Sequence, residues 1–192
     1  MMDRRRFLGL ALTAGVALPL ASCGGGADCE SCPHAPARHH QALDGELFAR
    51  RARHHFADAE LTCGEAIVLA GCEALDEPTQ TAGALALGLA GGIGLRGDAC
   101  GVLTGGGQVI ALAVGRGIKD YKQRKRRVMA AVGRFYDDFA AAHDGTVDCR
   151  AICGCDLTTA AGRTALKRPE NKRRCIAALE RGCDLVGAVC RG

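Results

Sequence analysis

The sequence predicts an all-α domain, and three observations carry that expectation. Apolar residues recur at helical spacing, helix-start signals stand ahead of several of these runs, and no stretch sustains a two-residue alternation. Leu43, Leu47, Arg50, Arg51 and Phe56 predict a first helix over about 43–58. A second runs from Cys63 to about Leu75, apolar at Ile67, Val68 and Leu69, and stops ahead of Pro78. Alanine, leucine and glycine over about 79–90 predict a third. Gly91-Gly92-Ile93-Gly94-Leu95-Arg96-Gly97-Asp98 has too many glycines for a helix and reads as a loop, after which a glycine-containing fourth helix runs to about Val114. The clearest periodicity is Ile118, Tyr121, Val128, Met129, Val132, Phe135, Tyr136, Phe139 and His143, one long amphipathic helix. A short helical turn near 149–153 and a C-terminal helix from about Pro169 complete a small glycine- and cysteine-rich bundle over residues 43–192.

Composition constrains the core and the partners. With 27 glycines, no tryptophan and 4% aromatic residues, the core is expected to be Ala, Leu, Val and Ile packed closely, with backbones approaching at glycines. Once Asp3 and Arg4 to Arg6 are set aside, 22 basic and 20 acidic side chains remain, a balance that gives no reason to expect nucleic acid as a partner. The basic run Lys122 to Arg127 reads as a solvated helix face, with contact to anionic lipid as the alternative.

The N-terminus reads as an address. Arg4-Arg5-Arg6-Phe7-Leu8 followed by an uncharged run to Ala21 fits a twin-arginine-type signal peptide over residues 1–22, too short to span a bilayer. Leu20-Ala21-Ser22-Cys23 looks like a lipobox, which makes Cys23 the lipid-bearing residue and the membrane the first expected partner. Residues 23–42, rich in Gly, Pro and His, read as a flexible tether. The expected location is the cell envelope, at the periplasmic face of a membrane or at the cell surface. Cys29-Glu30-Ser31-Cys32-Pro33-His34 misses the C-x-x-C-H attachment pattern by one residue, so no covalent haem is expected. Cys29 and Cys32 with nearby histidines are weak zinc or copper candidates.

Twelve cysteines dominate the chemistry. Eleven remain beside Cys23, an odd number that intramolecular disulfides cannot exhaust. Thr62-Cys63-Gly64-Glu65 reads as a capping box with Cys63 at the first helical position. Asp98-Ala99-Cys100-Gly101 and Asp148-Cys149 repeat the placement, each with an acidic capping candidate ahead. Thiols in a first helical turn are expected to be favoured as thiolates by the helix dipole, the form that binds metals and attacks disulfides. The competing reading is buried small residues or half-cystines. Cys183 and Cys190, seven residues apart on the last helix, cannot bridge each other and are expected to pair with Cys153 or Cys155, with a second metal site as the alternative.

Over about residues 56–185 the chain resembles the C-GCAxxG-C-C family of redox-active proteins. The resemblance rests on Thr62-Cys63-Gly64-Glu65-Ala66, on Gly91 to Gly94 followed by Cys100-Gly101-Val102-Leu103-Thr104-Gly105, on Cys149-Arg150 with Gly154, Asp156-Leu157-Thr158-Thr159 and Gly162, and on Cys175. Val102 and Gly64 stand where the family has alanine, and Cys183 competes with Cys175 as the fourth cysteine. The resemblance implies redox activity at Cys63, Cys100, Cys149 and Cys175. Those four are the candidate redox, cofactor-binding and metal residues, for an iron–sulfur cluster or another thiolate-bound metal. Without metal they are a dithiol/disulfide relay to an electron-transfer partner at the membrane. A disulfide-stabilised binding or scaffolding lipoprotein is the third reading. No Ser-His-Asp arrangement, phosphate loop with lysine, or H-E-x-x-H motif supports a hydrolase.

Overall fold

The computed structural model describes residues 43–191, so the signal peptide, Cys23 and the whole of the tether lie outside the described residues. Eight helices follow one another: α1 (Gly45–Ala57), α2 (Cys63–Ala74), α3 (Gln80–Leu87), α4 (Gly101–Gly115), α5 (Tyr121–Ala141), α6 (Cys149–Cys153), α7 (Ala160–Leu166) and α8 (Pro169–Arg191). The fold is all-α, as the periodicity predicts. Its one β-type pairing among the described residues is an isolated antiparallel bridge between Ala99 and Asp148. None of the described helices is long and apolar enough to cross a membrane.

Local chemistry sets most of the ends. Asp44 accepts hydrogen bonds from the amides of Glu46 and Leu47 and starts α1. Asp120 accepts from the Gln123 amide, which starts α5 at Tyr121, three residues later than Ile118 suggested. Pro169 opens α8, where its missing N–H costs nothing. The third helix ends at Leu87 and not near 90, because the chain then enters a run of tight turns. The seven residues of α7, capped by Thr159 through the Gly162 amide, carry no sequence signal strong enough to have been expected.

The helices α2, α4 and α8 form the centre, with α1 against α2 and α8, and α5 against α4 and α8. Phe48, Ile67, Ile110, Phe135, Phe139, Leu179 and Val186 fill the main core. The aliphatic core expected from composition thus includes three phenylalanines. On α5 the buried positions are Val128, Ala131, Phe135 and Phe139, whereas Tyr121, Met129 and Tyr136 face solvent with the basic run Lys122 to Arg127. Glycines bring the helices close: a methyl group on Gly71 would strike Val109, and one on Gly106 would strike Phe135.

A second, smaller core lies beside the first. Cys149, Cys153, Cys155 and Leu157 are buried together, with Ala165, Leu166 and Cys175 packed against them. It is sulfur-rich.

Candidate functional site

The site is assembled from four helices and one turn. Thr62 and Glu65 form the capping box expected of them: the Glu65 amide donates to the Thr62 hydroxyl at 3.3 Å, and the Thr62 amide to the Glu65 carboxylate at 3.0 Å. Cys63 is thereby fixed as the first residue of α2. Cys100 is placed differently from the expectation. It is itself the capping residue of α4, and Asp98 turns its carboxylate onto the Ala99 amide instead.

What holds Cys100 is the bridge to the distant segment before α6. The Cys100 amide donates to the Val147 carbonyl at 2.8 Å and the Cys149 amide to the Asp98 carbonyl at 2.7 Å, while the Arg150 amide reaches the Gly97 carbonyl at 3.1 Å. Two cysteines 49 positions apart in sequence are therefore brought side by side by main-chain hydrogen bonds. Cys149 then opens α6, and Cys153 lies four residues on, one turn along the same face.

The glycine loop makes the approach possible. Residues 91–95 all have positive φ, between 55° and 69°, a left-handed turn that includes Ile93 and Leu95. At Gly92 a β-carbon would lie 2.5 Å from both the amide nitrogen and the carbonyl oxygen of Asp98 and 2.8 Å from the Cys149 β-carbon. Only glycine fits there. At Gly101 a β-carbon would lie 2.8 Å from the Cys63 sulfur, so the missing side chain is the space that sulfur occupies.

The result is an ordered row of thiols. Cys63, Cys100, Cys149 and Cys153 neighbour one another in that sequence, each thiol shifting the pKa of the next. The neighbouring Cys100 thiol, then burial, pushes the Cys63 thiol well above its ordinary value. Cys100 is pushed up to about 12 by the neighbouring Cys149 thiol, against the opposing effect of Cys63 and with burial adding to the rise. The Cys100 thiol lowers the pKa of Cys149, yet its other neighbour Cys153 and burial carry it to about 12. Cys153, which ends the row, has its pKa lowered by the neighbouring Cys149 thiol. The expectation that thiols at helix starts are ionised is thus corrected: at Cys63, Cys100 and Cys149 the neighbouring sulfur and burial outweigh the helix dipole.

Cys175, from α8, faces the same group; burial first, then Cys63, Cys149 and Cys155, pushes it up to about 12. A cavity of about 460 Å³ opens onto the thiols, lined by Cys63, Cys149, Cys153 and Cys175 together with Phe56, Leu157 and Lys167. The structure therefore brings together all four sequence-predicted residues. It adds Cys153 and Cys155, whose sulfurs point at each other's carbonyls at 3.5 and 3.6 Å across the left-handed Gly154. The signal for Cys153 was its spacing of four from Cys149 within one helix.

Other cysteines stay apart. Cys183 is wholly buried in the main core and Cys190 packs against it, whereas Cys153 and Cys155 belong to the second core. All four are free thiols, so the expected pairing between them is not found. Cys175, not Cys183, stands at the site. His55 is hydrogen-bonded to Glu73 at 2.9 Å and His54 to Asp58 at 3.0 Å. Among the described residues no group of three or more His, Cys, Asp or Glu side chains is placed to hold a metal ion.

An all-α bundle with a buried row of thiols at the mouth of a cavity is the class that fold and site define. Residues 61–189 match the family described as "Putative redox-active protein (C_GCAxxG_C_C)", and the chain belongs to that family. Neither a curated protein nor a solved structure matches the chain.

Proposed function

We propose that this protein is a thiol–disulfide redox protein that exchanges electron pairs with a partner through Cys63, Cys100, Cys149 and Cys175. The observation that supports this reading best is the contiguous row of thiols beside a cavity. Adjacent sulfurs are the geometry that disulfide formation and exchange require, each step being attack of one sulfur on a neighbouring one. Cys63 and Cys175 are half-buried at the cavity and serve as the thiols that a partner reaches. The apolar wall of Phe56, Leu61, Leu95, Leu157 and Leu166 keeps water away from the sulfurs, with Lys167 and Lys172 at its edge. The first 23 residues support a place at the cell envelope, held by lipid on Cys23, next to a membrane electron-transfer partner.

A second reading, an iron–sulfur cluster or other thiophilic metal on the same four cysteines, is favoured by the softness of the donor set. As they stand, the sulfurs form a row and do not enclose an ion, so no step is routed through one. One preparation decides between the two. Protein purified anaerobically is analysed for metal and then alkylated with and without prior reductant. The relay predicts no stoichiometric metal, and at least two of the four cysteines alkylated only after reduction of an oxidised sample. Stoichiometric iron or zinc that is lost in cysteine-to-serine variants transfers the assignment to the metal reading.

A further inference from the structure

We infer that the site holds up to two disulfides, a capacity of four electrons in all, and that Cys153 is the inner end of an internal exchange path that begins at Cys63. This rests on the thiol–disulfide reading above and extends it to a residue outside the four that the family resemblance supplies.

Order and access carry the inference. The four sulfurs form a row from three different elements, Cys63 on α2, Cys100 capping α4, and Cys149 and Cys153 on α6. Cys63 is the most exposed of the four. Cys63 is half-buried, whereas Cys100, Cys149 and Cys153 are 4, 5 and 0% exposed. An external disulfide therefore reacts at Cys63, and the inner thiols are oxidised only through their neighbours.

The chemistry balances at each step. The Cys63 sulfur attacks a partner disulfide R–S–S–R, forming a Cys63–S–S–R bond and releasing one RSH. Cys100 attacks the Cys63 sulfur, releasing the second RSH and leaving a Cys63–Cys100 disulfide. Cys149 then attacks the Cys100 sulfur and frees the Cys63 thiol, and Cys153 attacks the Cys149 sulfur and frees the Cys100 thiol. Each internal exchange breaks one S–S bond and makes one. The Cys149–Cys153 bridge is feasible, because residues four apart in a helix are about 6 Å apart along the axis, within the Cα range of disulfides. With Cys63 and Cys100 again reduced, a second partner disulfide is accepted. In sum, four cysteine thiols and two R–S–S–R give two protein disulfides and four RSH.

The Cys153–Gly154–Cys155 turn gives this inner end its rigidity. Gly154 has φ +71°, and the two flanking sulfurs point at each other's carbonyls, which fixes the turn that follows Cys153. A four-thiol row differs from two separate pairs in a testable way, because only the row needs Cys100 to oxidise Cys149 and Cys153.

The test treats fully reduced protein with excess 2-hydroxyethyl disulfide, a small dialkyl disulfide, followed by denaturing alkylation and disulfide-mapping mass spectrometry. The expected map contains both Cys63–Cys100 and Cys149–Cys153. In Cys153→Ala the second bridge is lost and Cys63–Cys100 remains, halving the electrons given up by these four positions. In Cys100→Ala, Cys63 stops at the mixed disulfide with the reagent, and Cys149–Cys153 forms at least tenfold more slowly. The unsubstituted protein alone already decides capacity, even if a variant folds poorly. A single bridge among the four cysteines at saturating reagent overturns the inference and leaves the thiol–disulfide reading standing. Complete absence of bridges overturns both. Undiminished formation of Cys149–Cys153 in Cys100→Ala overturns the internal path.

Discussion

Replacing Gly92 by alanine tests how the glycine loop builds the site. Two costs add at this position. The residue has φ +69°, and holding an alanine in the left-handed region costs about 1–2 kcal/mol. The new β-carbon meets the amide nitrogen and carbonyl oxygen of Asp98 at 2.5 Å and the Cys149 β-carbon at 2.8 Å. These are backbone and short side-chain atoms that cannot rotate away, so an overpacking cost of about 1–3 kcal/mol applies. The sum is about 2–5 kcal/mol. Gly94 is the matched control, because it has φ +60° in the same turn and nothing within 4 Å of its β-carbon. Gly94→Ala thus carries the conformational cost alone, and the change in unfolded-chain entropy is common to both. For a domain of this size 1 kcal/mol corresponds to about 2–4 °C in Tm. Thermal unfolding followed by circular dichroism should place Gly92→Ala about 2–12 °C below Gly94→Ala. The thiol row should also open, with Cys149 alkylated faster in Gly92→Ala than in Gly94→Ala under native conditions. Equal Tm values for the two variants would refute the claim that close contact at Gly92 positions Cys149.

Three further outcomes follow from the same structure. Phe135, wholly buried between Phe139 and the face of Gly106, should cost about 3–5 kcal/mol when cut to alanine, read as the shift in a urea unfolding curve; a loss below about 1 kcal/mol would mean the site collapses freely. Cys100, Cys149 and Cys175 hold their protons up to about pH 12, whereas an ordinary thiol loses its proton near 9. Between those values the folded chain keeps protons that the unfolded chain has released, so their contribution to stability is full below pH 9 and is lost as pH rises through 12. Urea midpoints should therefore fall between pH 9 and 11, and fall less in Cys175→Ala; a slope that Cys175→Ala leaves unchanged would contradict this. Finally, Cys23→Ser should abolish lipid labelling and release the protein from membranes, and retention in the membrane fraction with labelling intact would remove the proposed anchor.

Local signals in the sequence were legible, and the contacts that build the site were not. Thr62 and Glu65 announce the start of α2 because a capping box is a four-residue device, complete in itself. The same logic failed at Asp98, since the bridge to residues 147–150 fixes the backbone there and no local pattern encodes a partner 49 positions away. The ionisation of the thiols was misjudged for a related reason. A helix dipole is visible from sequence, but the neighbouring sulfur that outweighs it comes from another helix. Cys153 lay within reach of sequence reasoning through its spacing from Cys149, yet its place in the row depends on where Cys149 itself is held. Cys183 looked equivalent to Cys175 on the last helix. Eight residues is a little over two turns, and the two fall into different cores.

The bridge between Ala99 and Asp148 has a consequence for how this protein tolerates change. Its hydrogen bonds join peptide groups, which every residue but proline supplies equally. The side chains of Asp98, Asp148 and Arg150 are exposed, so they can drift without moving the two sulfurs. What cannot drift is the sulfur itself and the empty volume at Gly92 and Gly101 that lets sulfur and backbone meet. A site specified by thiols and by absent side chains leaves almost no other fingerprint in the text of a gene. A family label spelled mostly in C and G is the written form of that economy.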